Sequence, residues 1–245
     1  MQPDYEYNEK CHIRFFNCDN MHFMKEVEDK KYDLAIVDLE YNIGASKPSK
    51  KPEFVKQKNG NYLKVKGTNK YKHREWDFKM SSPEYLEKLF NISKNQIIWG
   101  GNYYGLSGGY IVWDKLNGES DQYGCELAYQ SFDKRIDIVH FMWSGMFQGT
   151  YCGKDIRLAV KQQGNKCLNE ERTHETQKPI ALYRWILQNY AKKGDKILDT
   201  HGGSMTLARA CYEEGFDLDI MELDKEYFDT AVQKFKEHVS QYKLF

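Results

Sequence analysis

Three acids in this chain close short apolar runs, and each is followed by residues able to serve a ligand. Asp38 ends Leu34-Ala35-Ile36-Val37, Asp199 ends Ile197-Leu198, and Glu222 follows Ile220-Met221. Asp38 opens the tetrapeptide Asp38-Leu39-Glu40-Tyr41, with an acid and an aromatic three residues apart. On one loop the two can share a pocket: the ring stacks on a flat heterocycle while the carboxylate accepts hydrogen bonds from an amino group on it. The plainer reading is a surface turn in which Tyr41 covers the edge of the core.

Asp199 opens Asp199-Thr200-His201-Gly202-Gly203-Ser204-Met205-Thr206, an acid and a glycine turn that lead into helix-forming sequence. Glycines let the backbone approach a ligand closely, and free N–H groups at a helix start face it. Glu222, about 20 residues further on, can accept hydrogen bonds from both hydroxyls of a ribose. The fingerprint GxGxxG is absent, which disfavours NAD or FAD. Asp199 would repel a pyrophosphate but suits a cationic, zwitterionic ligand, and S-adenosylmethionine matches that description. Taken alone, Gly202 and Gly203 also fit an ordinary tight corner between a strand and a helix.

These acids need elements to hold them. Lys31–Asp38 reads as a buried strand, with further strands at 96–99, 110–113, 126–131, 136–143, 196–198 and 218–221. Ser82-Pro83-Glu84 opens a helix to about Asn91, with Ser82 as N-cap and Pro83 in its first turn. Helices are also predicted at 179–190, where Ile180, Tyr183, Ile186 and Leu187 share a face, and at 205–214 and 224–242. Strands alternating with helices predict parallel α/β layers covered on both faces. Ligands in such sheets bind beyond the carboxyl ends of strands, where all three acids sit.

The chain has 245 residues, enough for one domain with a small appendage. Hydrophobic residues at 40% and aromatics at 15% supply a core and argue against disorder. No apolar run is long enough to span a membrane, and the first residues lack the pattern of a signal peptide. Cys11, Cys18, Cys125, Cys152, Cys167 and Cys211 show no paired spacing, so reduced thiols, a cytoplasmic setting and no metal site are expected. The zero net charge is unevenly spread. Between Gly44 and Lys79 eleven basic residues face three acids, so this segment carries +8 and the remainder −8. Phe54, Tyr62, Tyr71, Trp76 and Phe78 are interleaved among the lysines. Lysines that track phosphates, with aromatics that stack on bases, make a nucleic-acid surface; a solvated loop is the other reading.

In order, these segments resemble an amino-group DNA methyltransferase, of the kind that methylates N6 of adenine or N4 of cytosine. The order is that of the permuted class, in which the catalytic tetrapeptide precedes the cofactor loop. Family members carry Asp-Pro-Pro-Tyr where this chain has Asp38-Leu39-Glu40-Tyr41. They carry His-Pro-Thr-Gln-Lys-Pro where it has His174-Glu175-Thr176-Gln177-Lys178-Pro179, and Asp-x-x-x-Gly-Ser-Gly-Thr/Ser where it has Asp199 to Thr206. Asn17-Cys18-Asp19, Ile98-Trp99-Gly100-Gly101-Asn102-Tyr103, Ile111-Val112-Trp113-Asp114-Lys115 and Glu222 to Phe228 are similar to family segments as well, the middle two to phage-type members.

The resemblance implies a Rossmann-like S-adenosylmethionine-dependent methyltransferase fold: a mostly parallel sheet with helices on both faces, in one catalytic domain over 1–245. It implies Asp38, the Leu39 carbonyl and Tyr41 as the catalytic group. Asp19, Thr176, Lys178, Asp199, His201, Gly203, Ser204 and Glu222 are expected around the cofactor, with Asp19 at its adenine and Glu222 at its ribose. Lys178, with the glycine loop, is expected at its methionine part. Duplex DNA is the implied partner, contacted by Lys47, Lys50, Lys51, Lys64, Lys66, Lys70, Lys72 and Arg74 of a basic insertion over 44–80. A small target-recognition region is expected over 144–173. Asp rather than Ser at the head of the tetrapeptide implies adenine N6, in a restriction-modification setting. Leu39, Glu40, Glu175 and Met205 depart from the family pattern, and a second reading keeps the fold as a DNA-binding or regulatory module without catalysis. The sequence is compatible with a monomer or a homodimer.

Overall fold

The computed structural model describes residues 1–40, 54–56, 60–64, 80–117, 123–144, 147–149, 169–174 and 176–242. The chain divides into two units, Met1–Leu39 with Ser81–Phe245, and Glu40–Met80. Its strands are β1 (Tyr5–Tyr7), β2 (Ile13–Phe16), β3 (Tyr32–Asp38), β4 (Phe54–Lys56), β5 (Tyr62–Lys64), β6 (Ser93–Trp99), β7 (Gly109–Asp114), β8 (Cys125–Gln130), β9 (Ile136–His140), β10 (Trp143–Ser144), β11 (Phe147–Gln148), β12 (Lys196–Asp199) and β13 (Asp217–Met221). The helices are α1 (Asn20–Lys25), α2 (Pro83–Ile92), α3 (Ile180–Tyr190), α4 (Thr206–Glu214) and α5 (Lys225–Tyr242).

In the larger unit nine strands form one sheet in the order β1-β2-β13-β12-β3-β6-β8-β7-β9. β2, β13, β12, β3 and β6 pair in parallel, and β9 runs parallel to β7. β1 is antiparallel to β2, and β8 is antiparallel to both β6 and β7. The expected parallel layers thus hold for the centre and fail at β8. β7 and β8 follow one another in the chain and pair antiparallel, as strands joined without a crossover do. The reversal puts the start of β8 at the same sheet edge as the ends of β3, β6 and β7.

Successive strand residues face opposite ways, so each face of the sheet needs its own helical cover. On one face α1 and α2 bury Phe23, Met24, Tyr85, Leu89 and Ile92 among Ala35, Val37, Ile98, Leu198 and Met221. The other face carries α3, α4 and α5, and the Phe235 ring of α5 lies 5.0 Å from that of Phe15. The predicted start of α2 is observed: the Ser82 hydroxyl accepts from Tyr85 N at 3.2 Å, with Pro83 in the first turn. Between β2 and β13, buried Asp219 accepts from Arg14 Nε at 2.6 Å and Nη2 at 2.5 Å, and from the Tyr32 hydroxyl at 2.5 Å.

The predicted strand over 136–143 ends early. β9 stops at His140, and Trp143–Ser144 pairs instead with Phe147–Gln148. β1, β2 and α1 had no counterpart in the sequence reading; each is six residues or fewer, too short for a periodic pattern to show. In the smaller unit β4 and β5 pair antiparallel with Phe54 opposite Lys64. Of the stretch 144–173, only 144, 147–149 and 169–173 are among the described residues.

Candidate active site

The parallel register sets the acids side by side. Asp199 on β12 pairs with Ile220, two residues before Glu222, while Leu198 pairs with Ala35 of β3, the strand that ends in Asp38. The turn after β12 is pinned from both sides. Gly202 N donates to Met221 O at 2.7 Å, and Met205 N donates to Gly202 O at 2.6 Å. A Cβ on Gly202 would lie 2.9 Å from the Met221 carbonyl oxygen, so only glycine fits. Gly203 takes φ +51 and Met205 φ 49, both left-handed. Met205 stands where the family carries glycine; its side chain is 1% exposed, buried beneath the turn.

Glu222 clamps this turn. Its Oε2 accepts from Gly203 N at 2.8 Å and its Oε1 from Asp224 N at 2.7 Å. A carboxylate oxygen has two acceptor lone pairs, so one backbone bond to each does not exhaust what Glu222 can accept. Asp199 is 4% exposed, and its Oδ1 accepts from His201 N at 3.0 Å. Burial pushes its carboxyl up to about 8: the His201 hydrogen bond opposes the rise, and the charges of Asp38 and Glu222 add to it. The Lys178 charge also opposes the rise without cancelling it, and an acid held up by burial fits a cationic ligand.

His201 sits in a hydrogen-bonded row. Its Nε2 lies 3.1 Å from Asn20 Nδ2 and its Nδ1 2.9 Å from Thr200 Oγ1, which is 2.6 Å from the Tyr85 hydroxyl. Ser204 Oγ is 2.9 Å from Thr206 Oγ1. Asp19 is exposed and caps α1, accepting from His22 N at 2.9 Å. Thr176 is exposed, with its Oγ1 3.2 Å from His174 Nδ1. His174 in turn faces the glycine turn, since a Cβ on Gly203 would lie 3.9 Å from its ring.

Lys178, expected at the cofactor's methionine part, reaches the other acid. Its ammonium is 2.5 Å from Asp38 Oδ2 and 3.2 Å from Glu126 Oε2, and 5.0 Å from the centre of the Trp99 ring. Burial alone would lower its pKa, yet the two carboxylates hold it above the ordinary lysine value. Burial likewise pushes Glu126 up, and Lys178 with Lys115 brings it below the usual carboxylate range. Leu39 is 3% exposed and packs into the core with Val37 and Ile98. Burying a leucine contributes about 1.5–3 kcal/mol, more than the roughly 0.4–1 kcal/mol of stiffness lost with a proline. The core thus anchors the backbone that family members stiffen with proline.

Sequence reasoning missed Glu126, Tyr183 and Glu170. Glu126 enters through the reversed strand, opposite Trp113. Tyr183, one turn into α3, is buried near Asp38, Asp199 and Glu126, and burial with their charges raises its pKa. Glu170 ties down the segment before α3: its Oε1 accepts from Gln177 Nε2 at 2.9 Å and Arg209 Nη2 at 3.1 Å, and its Oε2 from Ile180 N at 3.0 Å. Tyr41, Lys47, Lys50, Lys51, Lys66, Lys70, Lys72 and Arg74 lie outside the described residues. Lys64 ends β5 of the smaller unit.

A mostly parallel sheet with helices on both faces and acids ranged along its carboxyl edge is an α/β scaffold of the kind shared by S-adenosylmethionine-dependent methyltransferases. The crystal structure of the M1.HpyAVI–SAM complex is similar, with a TM-score of 0.52 and 17% identity over 91% of this chain and 99% of that one. PvuII DNA methyltransferase, cytosine-N4-specific, gives a TM-score of 0.50 and 10% identity over 94% of this chain and 92% of that one. Among curated proteins no sequence matches. The DNA methylase family N6_N4_Mtase matches residues 10–233. The chain belongs to that family, and is a DNA methyltransferase of the N6/N4 amino-methyltransferase group.

Proposed function

We propose that the chain transfers a methyl group from S-adenosylmethionine to the N6 amino group of an adenine extruded from duplex DNA. The observation that carries this reading is the side-by-side placement, on one sheet edge, of the Glu222-clamped glycine turn, the buried Asp199 and Asp38. S-adenosylmethionine, when bound, supplies an electrophilic methyl group and a permanent positive charge. The residues fit it: Glu222 for the ribose hydroxyls, Asp199 for the cationic end, and Gly202 and Gly203 where the backbone comes close.

The amino nitrogen of adenine is a poor nucleophile because its lone pair is delocalised into the ring. Asp38 and the Leu39 carbonyl each accept one N–H, which localises the lone pair and aims it for in-line displacement. No covalent enzyme intermediate is needed, and so no catalytic cysteine. Extruding the base costs a few kcal/mol, and stacking on Tyr41 returns about 1–3 kcal/mol. The basic segment 44–80 supplies the phosphate contacts.

Tritium transfer from labelled cofactor to mixed-sequence duplex DNA tests this, with nucleoside analysis to read the modified base. The expected product is N6-methyladenine, with counts lost in Asp38→Ala while cofactor binding persists. N4-methylcytosine would move the substrate to cytosine. No counts above the Asp38→Ala control, with the cofactor bound, would leave a DNA-binding module without catalysis.

A further inference from the structure

Two carboxylates compete for one buried cation at the head of the site. The Lys178 side chain is 2% exposed, and its ammonium stands closer to Asp38 (2.5 Å) than to Glu126 (3.2 Å). Glu126 is divided in turn, with its other oxygen 2.5 Å from Lys115 Nζ. Charge therefore alternates from Asp38 through Lys178 and Glu126 to Lys115. The two ammonium groups lie over Trp99 and Trp113, at 5.0 and 5.1 Å from the ring centres, and these rings meet edge to face at 6.2 Å. The methyl transfer set out above uses neither Glu126 nor Lys115.

A buried ammonium with a single acid partner grips it hard, because the pair attract across a poorly screened gap and neither can be left uncompensated. A second acid within reach loosens that grip, since the cation can shift between them and stay paired. Asp38 has to offer its carboxylate to an incoming N–H, and Lys178 holds its Oδ2. We propose that Glu126 is a positioning residue for methyl transfer, sharing the Lys178 ammonium with Asp38 so that the cation slides toward Glu126 when a target amino group arrives. The proposal rests on the reading of Asp38 as the amino-group acceptor. Lys115 sets the balance: by occupying Oε1 it limits how strongly Glu126 draws on Lys178.

Two experiments on the full chain test this. In single-turnover methyl transfer at saturating cofactor and DNA, Glu126→Gln is expected to lower the rate constant at least tenfold. Lys115→Met, which leaves Glu126 to Lys178 alone, is expected to stay within twofold of the parent or exceed it. A packing role would give both variants losses of the same sign, so equal falls overturn the proposal, as does a Glu126→Gln rate within twofold of the parent. The second experiment needs no turnover: a thermal double-mutant cycle with Asp38→Asn and Glu126→Gln. Sharing predicts that the double variant loses more Tm than the two single losses combined, because Lys178 then loses both of the carboxylates it is divided between, and that adding Lys178→Met recovers part of it. Additive losses overturn the sharing alone. An Asp38→Ala enzyme that still transfers methyl groups overturns the reading of Asp38, and the positioning role with it.

Discussion

Asp199 gives the sharpest solution test of the cofactor pocket. Burial holds its carboxyl at about 8 in the unliganded protein. At pH 7 about one molecule in ten then carries the charge, and at pH 6 about one in a hundred. If the cationic end of the cofactor needs the ionised acid, apparent affinity is reduced by that fraction. The Kd for S-adenosylmethionine should tighten about tenfold per pH unit between 6 and 7.5 and level off near 8.5, with nearly one proton released per binding event at pH 7. Calorimetric titration in two buffers of different ionisation enthalpy measures both quantities. Asp199→Asn should bind weakly and lose this pH dependence. The ligand's own amino group titrates in both proteins, so their difference is the measure. The same shift acts on stability with a fixed sign. The folded pKa is raised, so the contribution is fully present below about pH 4 and lost as pH rises to about 8, by up to about 6 kcal/mol. Equal slopes for parent and variant between pH 6 and 8, with no proton released, would refute the assignment of Asp199 to a cation.

Three further outcomes are expected. Gly202→Ala drives a methyl group against the Met221 carbonyl oxygen at 2.9 Å and should cost about 1–3 kcal/mol, seen as a Tm several degrees lower and weaker cofactor binding; an unchanged Tm would contradict the close approach. Arg14→Met leaves Asp219, at 1% exposure, with the Tyr32 hydroxyl as its one side-chain partner among the described residues. It should cost about 3–5 kcal/mol in urea unfolding while cofactor affinity at 25 °C stays near that of the parent, and a loss below about 1 kcal/mol would dismiss the pair as a stabilising feature. Replacing Lys70, Lys72 and Arg74 by glutamine should flatten the salt dependence of DNA binding by about 0.9 in log–log slope for each phosphate no longer neutralised; an unchanged slope would move the DNA-binding surface elsewhere.

Much of this was legible in the sequence because the central strands are buried on both faces. Leu34–Val37, Ile197–Leu198 and Ile220–Met221 are short apolar runs that read as covered parallel strands, and each leads directly into its acid, Asp38, Asp199 or Glu222. Ser82 and Pro83 gave the start of α2 by their chemistry alone. What stayed hidden depends on contacts far apart in the chain. Glu126 lies 88 residues from Asp38 and 52 from Lys178, and no local pattern announces that β8 runs backwards. Lys178 was visible as a motif residue, but its ion pairs with Asp38 and Glu126 join residues 140 and 52 positions away in the chain. Met205 illustrates the reverse case. Its departure from glycine suggests a narrowed pocket, whereas the structure turns its side chain into the core.

The reversed β8 gives the site a particular vulnerability. Glu126 is held by a hydrogen-bonded ladder rather than by a loop, so a slip of one residue in the pairing of β8 with β6 or β7 would turn its carboxylate to the other face of the sheet. Loss-of-function screens should therefore recover substitutions along Leu127, Ala128 and Tyr129 that touch no ligand, leave every reacting group in place and silence the enzyme by misaligning its electrostatics.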